Sequence, residues 1–151
     1  MLSFPSGMRL LLVLALAGFA AVAQVPMAPR NWDRLQESDY LPLFVLVYVH
    51  ANDCHPCNAF ASEVVGELYH QYNGHERVII ASFDVSSAET REFGYQNIMG
   101  PNNIKDLPGF LLYHGGKAMT YGGSMHRSDL LAGLRSFIES HVVEADSHDE
   151  P

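Results

Sequence analysis

Cysteine is nearly absent: among 151 residues there are two, Cys54 and Cys57. Positive charge is short as well. Nine Lys and Arg stand against 17 Asp and Glu, a formal net charge of −8, and that balance excludes a nucleic-acid partner, which needs clustered basic side chains. After the first 23 residues no further long apolar stretch occurs, so no membrane span is expected there. There is a single tryptophan, and neither an internal repeat nor an Asn-x-Ser/Thr acceptor site is present. What remains is a chain of 48% hydrophobic residues, enough for one domain with a real core and too short for two.

Residues 1–23 read as a secretory signal peptide. Arg9 precedes the apolar run Leu10 to Ala17, and Ala21-Val22-Ala23 has the small-residue pattern of a cleavage site. The run is too short for a transmembrane helix; a retained anchor is the alternative. Removal of this segment takes away Arg9 and no acid, leaving 8 basic against 17 acidic residues, or −9. The sequence therefore predicts an exported chain in an oxidising compartment, either the endoplasmic reticulum lumen, the exterior or, in a bacterium, the periplasm. Residues 24–141 form the expected domain, and 142–151 an acidic disordered tail. Its last four residues, His148-Asp149-Glu150-Pro151, end in Pro where an endoplasmic-reticulum retention signal has Leu.

The two cysteines occupy Cys54-His55-Pro56-Cys57, between an apolar run and a helical pattern. Leu43 to Val49 is β-branched and aromatic without polar alternation, as in a strand buried on both faces. Ala59, Phe60, Val64, Val65, Leu68, Tyr69 and Tyr72 then recur at helical spacing. The motif thus lies at a strand-to-helix junction. Pro56 suits the first helical turn, where its missing N–H is no loss, and the positive end of the helix favours an anion, here a Cys54 thiolate. His55 beside it offers a cation that lowers the thiol pKa. Three readings are open. Metal binding calls for a second ligand pair, yet His50, His70, His75, His114 and His126 are scattered. A purely structural disulfide closing so short a loop would remove little chain entropy. Redox chemistry is the third and the favoured one.

Along the chain, Val25 to Arg30 carries two prolines and predicts an extended leader, followed by a short helix from Asn31 to Gln36 with Asn31 or Asp33 as cap. Trp32 is read as a core-covering residue. Asn73-Gly74 ends the motif helix. Val78 to Phe83 is a second buried strand, and Ser86-Ser87-Ala88-Glu89 a capping box for a helix to about Tyr95. Strand, helix, strand, helix calls for a parallel β-α-β unit. An irregular loop is expected from Gln96 to Asp106, then a hairpin from Phe110 to Tyr121 through His114-Gly115-Gly116-Lys117, then a last helix capped by Ser128.

This pattern resembles the thioredoxin superfamily, and within it a single catalytic domain of the protein disulfide isomerases. Cys54-His55-Pro56-Cys57 matches the active-site tetrapeptide, Leu107-Pro108 the cis-proline, Gly116 the hairpin glycine, and Tyr121-Gly122-Gly123 is similar to the tyrosine-x-glycine before the final helix. The likeness covers about Asn31 to His141. It implies an α/β thioredoxin fold: a central mixed β-sheet flanked by helices, a β-α-β unit, then a β-hairpin and a C-terminal helix. It further implies that Cys54 is the attacking thiol and Cys57 the resolving one, and that Pro108 is cis, leaving the Leu107 backbone free to pair with an extended substrate.

The implied activity is thiol-disulfide exchange on disulfides of exported proteins, with cysteine-containing clients or a redox partner protein as partners. The cysteine pair is itself the redox centre, and no cofactor or metal is called for. The alternative is a redox-inactive binding or chaperone-like module with a structural disulfide. Departures from the family's pattern give that alternative its footing. Tyr48 stands where the family has a buried acid, Asp53 where it has an aromatic, Asn58 where it has a basic residue and Gly109 where a threonine is common; Arg127 is a loose match to its mobile arginine. Asp53 opposes the effect of His55 on the Cys54 thiolate.

Overall fold

The computed structural model of the chain describes residues 25–148. The leader expected over residues 1–23 and the last three residues of the tail lie outside the described residues. Strand β2 (Phe44–His50) is the centre of the sheet, because every residue from Phe44 to Val49 is apolar or aromatic and both faces must be covered. It pairs in parallel with β3 (Val78–Asp84), Phe44 opposite Val78 and His50 opposite Asp84. On its other side it pairs antiparallel with β4 (Gly109–His114), Val49 opposite Gly109. Strand β5 (Lys117–Thr120) closes the hairpin on β4 through Gly115 and Gly116. Those two glycines take φ of 58° and 76°, the left-handed pair that a two-residue hairpin turn requires. The five-stranded order is β1-β3-β2-β4-β5, a mixed sheet of the expected thioredoxin type.

Strand β1 (Val25–Met27) was not foreseen. The segment with Pro26 pairs in parallel with β3, at the sheet edge where one side of a strand needs no partner and proline is tolerated. The short helix α1 (Pro29–Trp32) begins earlier than expected, with Ala28 at its N-cap and a single 3-10 turn, Asp33–Gln36, after it. Asn31 serves from inside, its Oδ1 accepting the Ala28 N–H at 2.6 Å.

The motif helix runs from His55 to Tyr72 in three pieces: α2 (His55–Phe60), a π-helical turn at Ala61–Gly66, and α3 (Glu67–Tyr72). Gly74, at φ 75°, follows its end. After β3, Ser87 rather than Ser86 caps α4 (Ala88–Gly94), accepting the Thr90 N–H at 3.1 Å. The helical path continues through a π turn, Tyr95–Met99, so the expected loop begins at Gly100, not Gln96. Ile98 and Met99 are buried, and that burial outweighs the polar look of Gln96-Asn97.

The last helix, α5 (Leu130–His148), starts two residues beyond Ser128, whose hydroxyl instead donates to Asp129 Oδ1 at 3.0 Å. It does not stop at His141. Val142 and Ala145 still pack on the core and Arg77 pairs with Asp146, so the first seven residues assigned to a disordered tail are helical.

Alternation along β2 splits the core in two. Phe44, Leu46 and Tyr48 face the motif helix and α5, where Val64, Leu68, Leu130, Leu134 and Ile138 lie. Val45, Val47 and Val49 face Trp32, Leu35, Ile98 and Met99. Trp32 meets Phe83, Phe93 and Tyr113 edge-on, at 5.3–6.4 Å, and so covers the core as its sequence context indicated.

Candidate functional site

The end of β2 delivers the chain to the start of α2, and the cysteines sit at that junction. Cys54 is the N-cap residue with extended backbone, and Pro56 lies in the first turn. The two cysteines are joined in a disulfide, their Cα atoms 5.2 Å apart. They are not equivalent. Cys54 is partly exposed and its Sγ accepts the Cys57 N–H at 3.2 Å, whereas Cys57 is 1% exposed and faces the α2 side of the sheet with Tyr48, Phe60 and Phe110.

The seven residues singled out from the sequence come together. Asp53, His55 and Pro56 are exposed around Cys54. The Leu107–Pro108 peptide is cis, with Pro108 buried and Leu107 partly exposed. A groove of about 500 Å³ runs between the cysteine turn and this proline, lined by Pro56, Phe60, Leu107, Pro108, Tyr121 and Met125 among others. A second, more open hollow of about 420 Å³ is walled by Asp53, Cys54, His55, Tyr95, Lys105, Asp106 and Leu107. Cys54 lines the second hollow, and Pro56, Lys105, Asp106 and Leu107 are shared by both. A smaller hollow, about 230 Å³, lies against Val25, Tyr72 and Ile79, away from the cysteines.

Several contributors were not on the sequence list. Tyr95 and Met125 are 50% and 40% exposed large side chains, one on each flank of the site. Exposed apolar side chains cannot be told from buried ones by residue type, so no sequence signal marked them. Tyr48 had been noted only as a departure. Its ring is 2% exposed, stacked between His50 at 4.7 Å and Phe110 at 5.4 Å, and its hydroxyl donates to the Cys57 carbonyl at 2.7 Å. A tyrosine in a two-sided buried strand must find a hydrogen-bond partner inside, and its position six residues before Cys54 was the available clue. Burial pushes its pKa from 10.0 to about 12. His50 is shifted down, first by burial, with Asp84 acting against it.

Other departures also find a physical reason. Gly109 is required because a Cβ there would lie 2.8 Å from Ile104 Cγ2. The loop before Ile104 is held by Ile104 N–H to Met99 O (2.9 Å), Asn102 Nδ2 to Ile98 O (2.8 Å) and Thr120 Oγ1 to Asn102 O (3.0 Å). Arg127 is tied to Glu63 at the surface. Among the described residues no group of three His, Cys, Asp or Glu side chains is arranged to hold a metal ion, and no helix is long and apolar enough to cross a membrane.

No protein-family model and no curated protein sequence matches the chain. Solved structures do. The first thioredoxin domain of mouse protein disulfide-isomerase A4 superposes with a TM-score of 0.57 at 16% identity, over 76% of this chain and 72% of that one. The first two thioredoxin domains of Naumovozyma dairenensis Eps1p give 0.59 at 13% identity, over 78% of this chain and 40% of theirs. At such identities the likeness establishes the thioredoxin fold.

Proposed function

We propose that the chain is a thiol-disulfide oxidoreductase of the secretory pathway, acting on the disulfides of exported proteins through Cys54 and Cys57. The observation that carries this reading is the asymmetry of the pair. One sulfur caps a helix N-terminus at the surface, beside a groove floored by a cis-proline, and the other is buried one turn on. A helix N-terminus favours the Cys54 thiolate, which attacks a client disulfide to give a mixed disulfide and a client thiolate. Attack on that mixed disulfide by a second thiol completes the exchange. In the oxidising direction a client thiolate attacks the Cys54–Cys57 bond instead.

Leu107 and Pro108 form the wall against which an extended client segment lies, and Asp53, His55 and Pro56 tune the nucleophile. Cysteine-containing clients or a redox partner protein are the partners. The redox centre is the cysteine pair, so the chemistry draws on no bound cofactor. The leader-like residues 1–23 support an exported location, and the thioredoxin-domain structures of disulfide-isomerase type support the reaction class.

The test is the reduction potential of the Cys54–Cys57 pair in a glutathione series. A value within a few tens of millivolts of an oxidising compartment, about −180 to −210 mV, fits a catalyst. A value below about −300 mV fits an inert bond, and would favour the binding-module alternative.

A further inference from the structure

Tyr95 is one of four large apolar side chains exposed among the described residues, and the one that shares a hollow with Cys54. It is 50% exposed, and the local structure keeps it so. Its N–H donates to the Arg91 and Glu92 carbonyls, and its carbonyl accepts the Gly100 N–H at 2.9 Å, closing the wider ring of a π turn. The added residue carries Ile98 and Met99 into the core and leaves Tyr95 outside. At Gly94, directly before it, a Cβ would lie 2.6 Å from Val85 Cγ1, so the helix already touches the core and cannot roll the ring inward. The backbone that carries the ring is therefore fixed before a client arrives.

The rest of that hollow decides what the ring can receive. Asp53 and Asp106 line it and are exposed, and among the described residues neither stands in an ion pair. Lys105 is the one lysine or arginine in the wall, so negative charge is in excess there, as it is over the whole chain. An apolar client side chain would be matched by Tyr95 and would strip water from both carboxylates. A cationic one suits both features, since it lies on the ring face and donates charge-assisted hydrogen bonds to a carboxylate. An acidic one is repelled. A client segment extended along Leu107, with its cysteine at Cys54, turns to the same face the side chains two positions away, about 7 Å along.

We propose that Tyr95, with Asp53 and Asp106, selects clients that carry an arginine or lysine two positions from the reacting cysteine. The inference rests on the oxidoreductase reading above and adds its substrate class. Tyr95 and Asp106 act on the client side chain, so they set which cysteine is attacked.

The experiment uses the full reduced chain and short single-cysteine peptides activated as thiopyridyl disulfides, with Arg, Ala or Glu two positions before or after the cysteine. Cys54 attacks the peptide sulfur, a Cys54–peptide disulfide forms, and the electron pair of the broken bond leaves on the thiopyridine, whose absorbance gives the rate. Each rate is divided by that of mercaptoethanol, a neutral thiol, on the same peptide. The expected result is that the Arg peptide reacts about five- to tenfold faster than the Glu peptide in at least one of the two orders, and that this lead shrinks in about 1 M salt. Tyr95→Ala and Asp106→Asn should each reduce the lead about threefold, while Tyr95→Phe, which keeps the ring, should retain it. The lead is a ratio, so any loss common to all peptides cancels.

Glu144→Gln, on the exposed far part of α5, changes the net charge as Asp106→Asn does and should leave the lead intact. An equal reduction in both would assign the preference to overall charge and overturn the inference, as would a lead that survives Tyr95→Ala and Asp106→Asn. Equal rates for the Arg and Glu peptides also overturn it and leave the oxidoreductase reading standing; no reaction with any peptide overturns both.

Discussion

Tyr48→Phe removes one oxygen from the centre of the molecule, and its consequence should reverse with pH. At neutral pH the variant loses the hydrogen bond to the Cys57 carbonyl, 2.7 Å long and buried. That carbonyl keeps the Ala61 N–H, so no acceptor is orphaned and the loss should be about 1 kcal/mol. At alkaline pH the tyrosine becomes a liability. Its native pKa is about 12 against 10.0 in the unfolded chain. Below pH 10 both states hold the proton and the contribution is intact. As pH climbs from 10 to 12 the unfolded state ionises first, and stability is lost. A two-unit shift corresponds to about 2.7 kcal/mol, more than the hydrogen bond contributes at neutral pH. Phenylalanine has nothing to ionise, so wild type should lead at pH 7, meet the variant near pH 11 and fall behind above it. Burial raises Tyr113 to about 12 as well, but it is common to both proteins and cancels. Urea unfolding of the oxidised proteins, followed by circular dichroism at a series of pH values, measures the gap. A gap that stays constant from pH 8 to about 11.5, or no gap at pH 7, would refute the argument.

In the reduced protein, brief iodoacetamide treatment should label Cys54 at least about tenfold faster than Cys57, because one is partly exposed at a helix start and the other 1% exposed; equal labelling by mass spectrometry would contradict the assignment of nucleophile. Gly94→Ala would stabilise an exposed helix by about 0.5–1 kcal/mol. Here the new Cβ would lie 2.6 Å from Val85 Cγ1 and 3.4 Å from Phe83 Cε1, so a net loss of about 1–2 kcal/mol is expected, and a rise in the urea midpoint would disprove it. His55→Ala should make the pair more reducing and Asp53→Asn more oxidising, since the Cys54 thiolate loses a cation in one case and an anion in the other. About 30 mV corresponds to one pKa unit, and exposure of both residues reduces the shifts to about 10–30 mV; glutathione equilibria that move the same way in both variants would rule out this tuning.

The parts of the fold that the sequence disclosed are those where burial is two-sided or a turn has a chemical requirement. Phe44 to Val49 is apolar without interruption because both faces of β2 are covered, and Gly115-Gly116 marks the hairpin because both take positive φ. The parts it hid are those where tertiary contact overrides a local preference. Val25–Met27 becomes a strand only because β3 offers its edge. Gly100 stands inside the loop expected from Gln96 to Asp106, but burial of Ile98 and Met99 carries the helix to that glycine. The acidic segment after His141 stays helical as far as His148 because Val142 and Ala145 reach the core beneath it and Arg77 meets Asp146.

The candidate site was partly legible for a different reason. Cys54 and Pro108 are far apart in sequence, and no spacing rule connects them. The connection is made by register. Strand β4 runs antiparallel to β2 with Gly109 opposite Val49, so Pro108 comes level with His50, the last residue of β2, just before the chain turns into the cysteine motif. A shift of one residue in that pairing would reverse the faces of β4, burying His114 in place of Tyr113 and turning Phe110 away from Tyr48. The apolar run Phe110 to Tyr113 tolerates a slip poorly because Phe110 and Leu112 serve one core and Leu111 and Tyr113 the other. Gly109 adds a second restraint, since only a residue without Cβ leaves room for Ile104 there. The packing of β4 therefore fixes where the cis-proline stands relative to Cys54, and the groove between them is a consequence of core residues that touch neither sulfur.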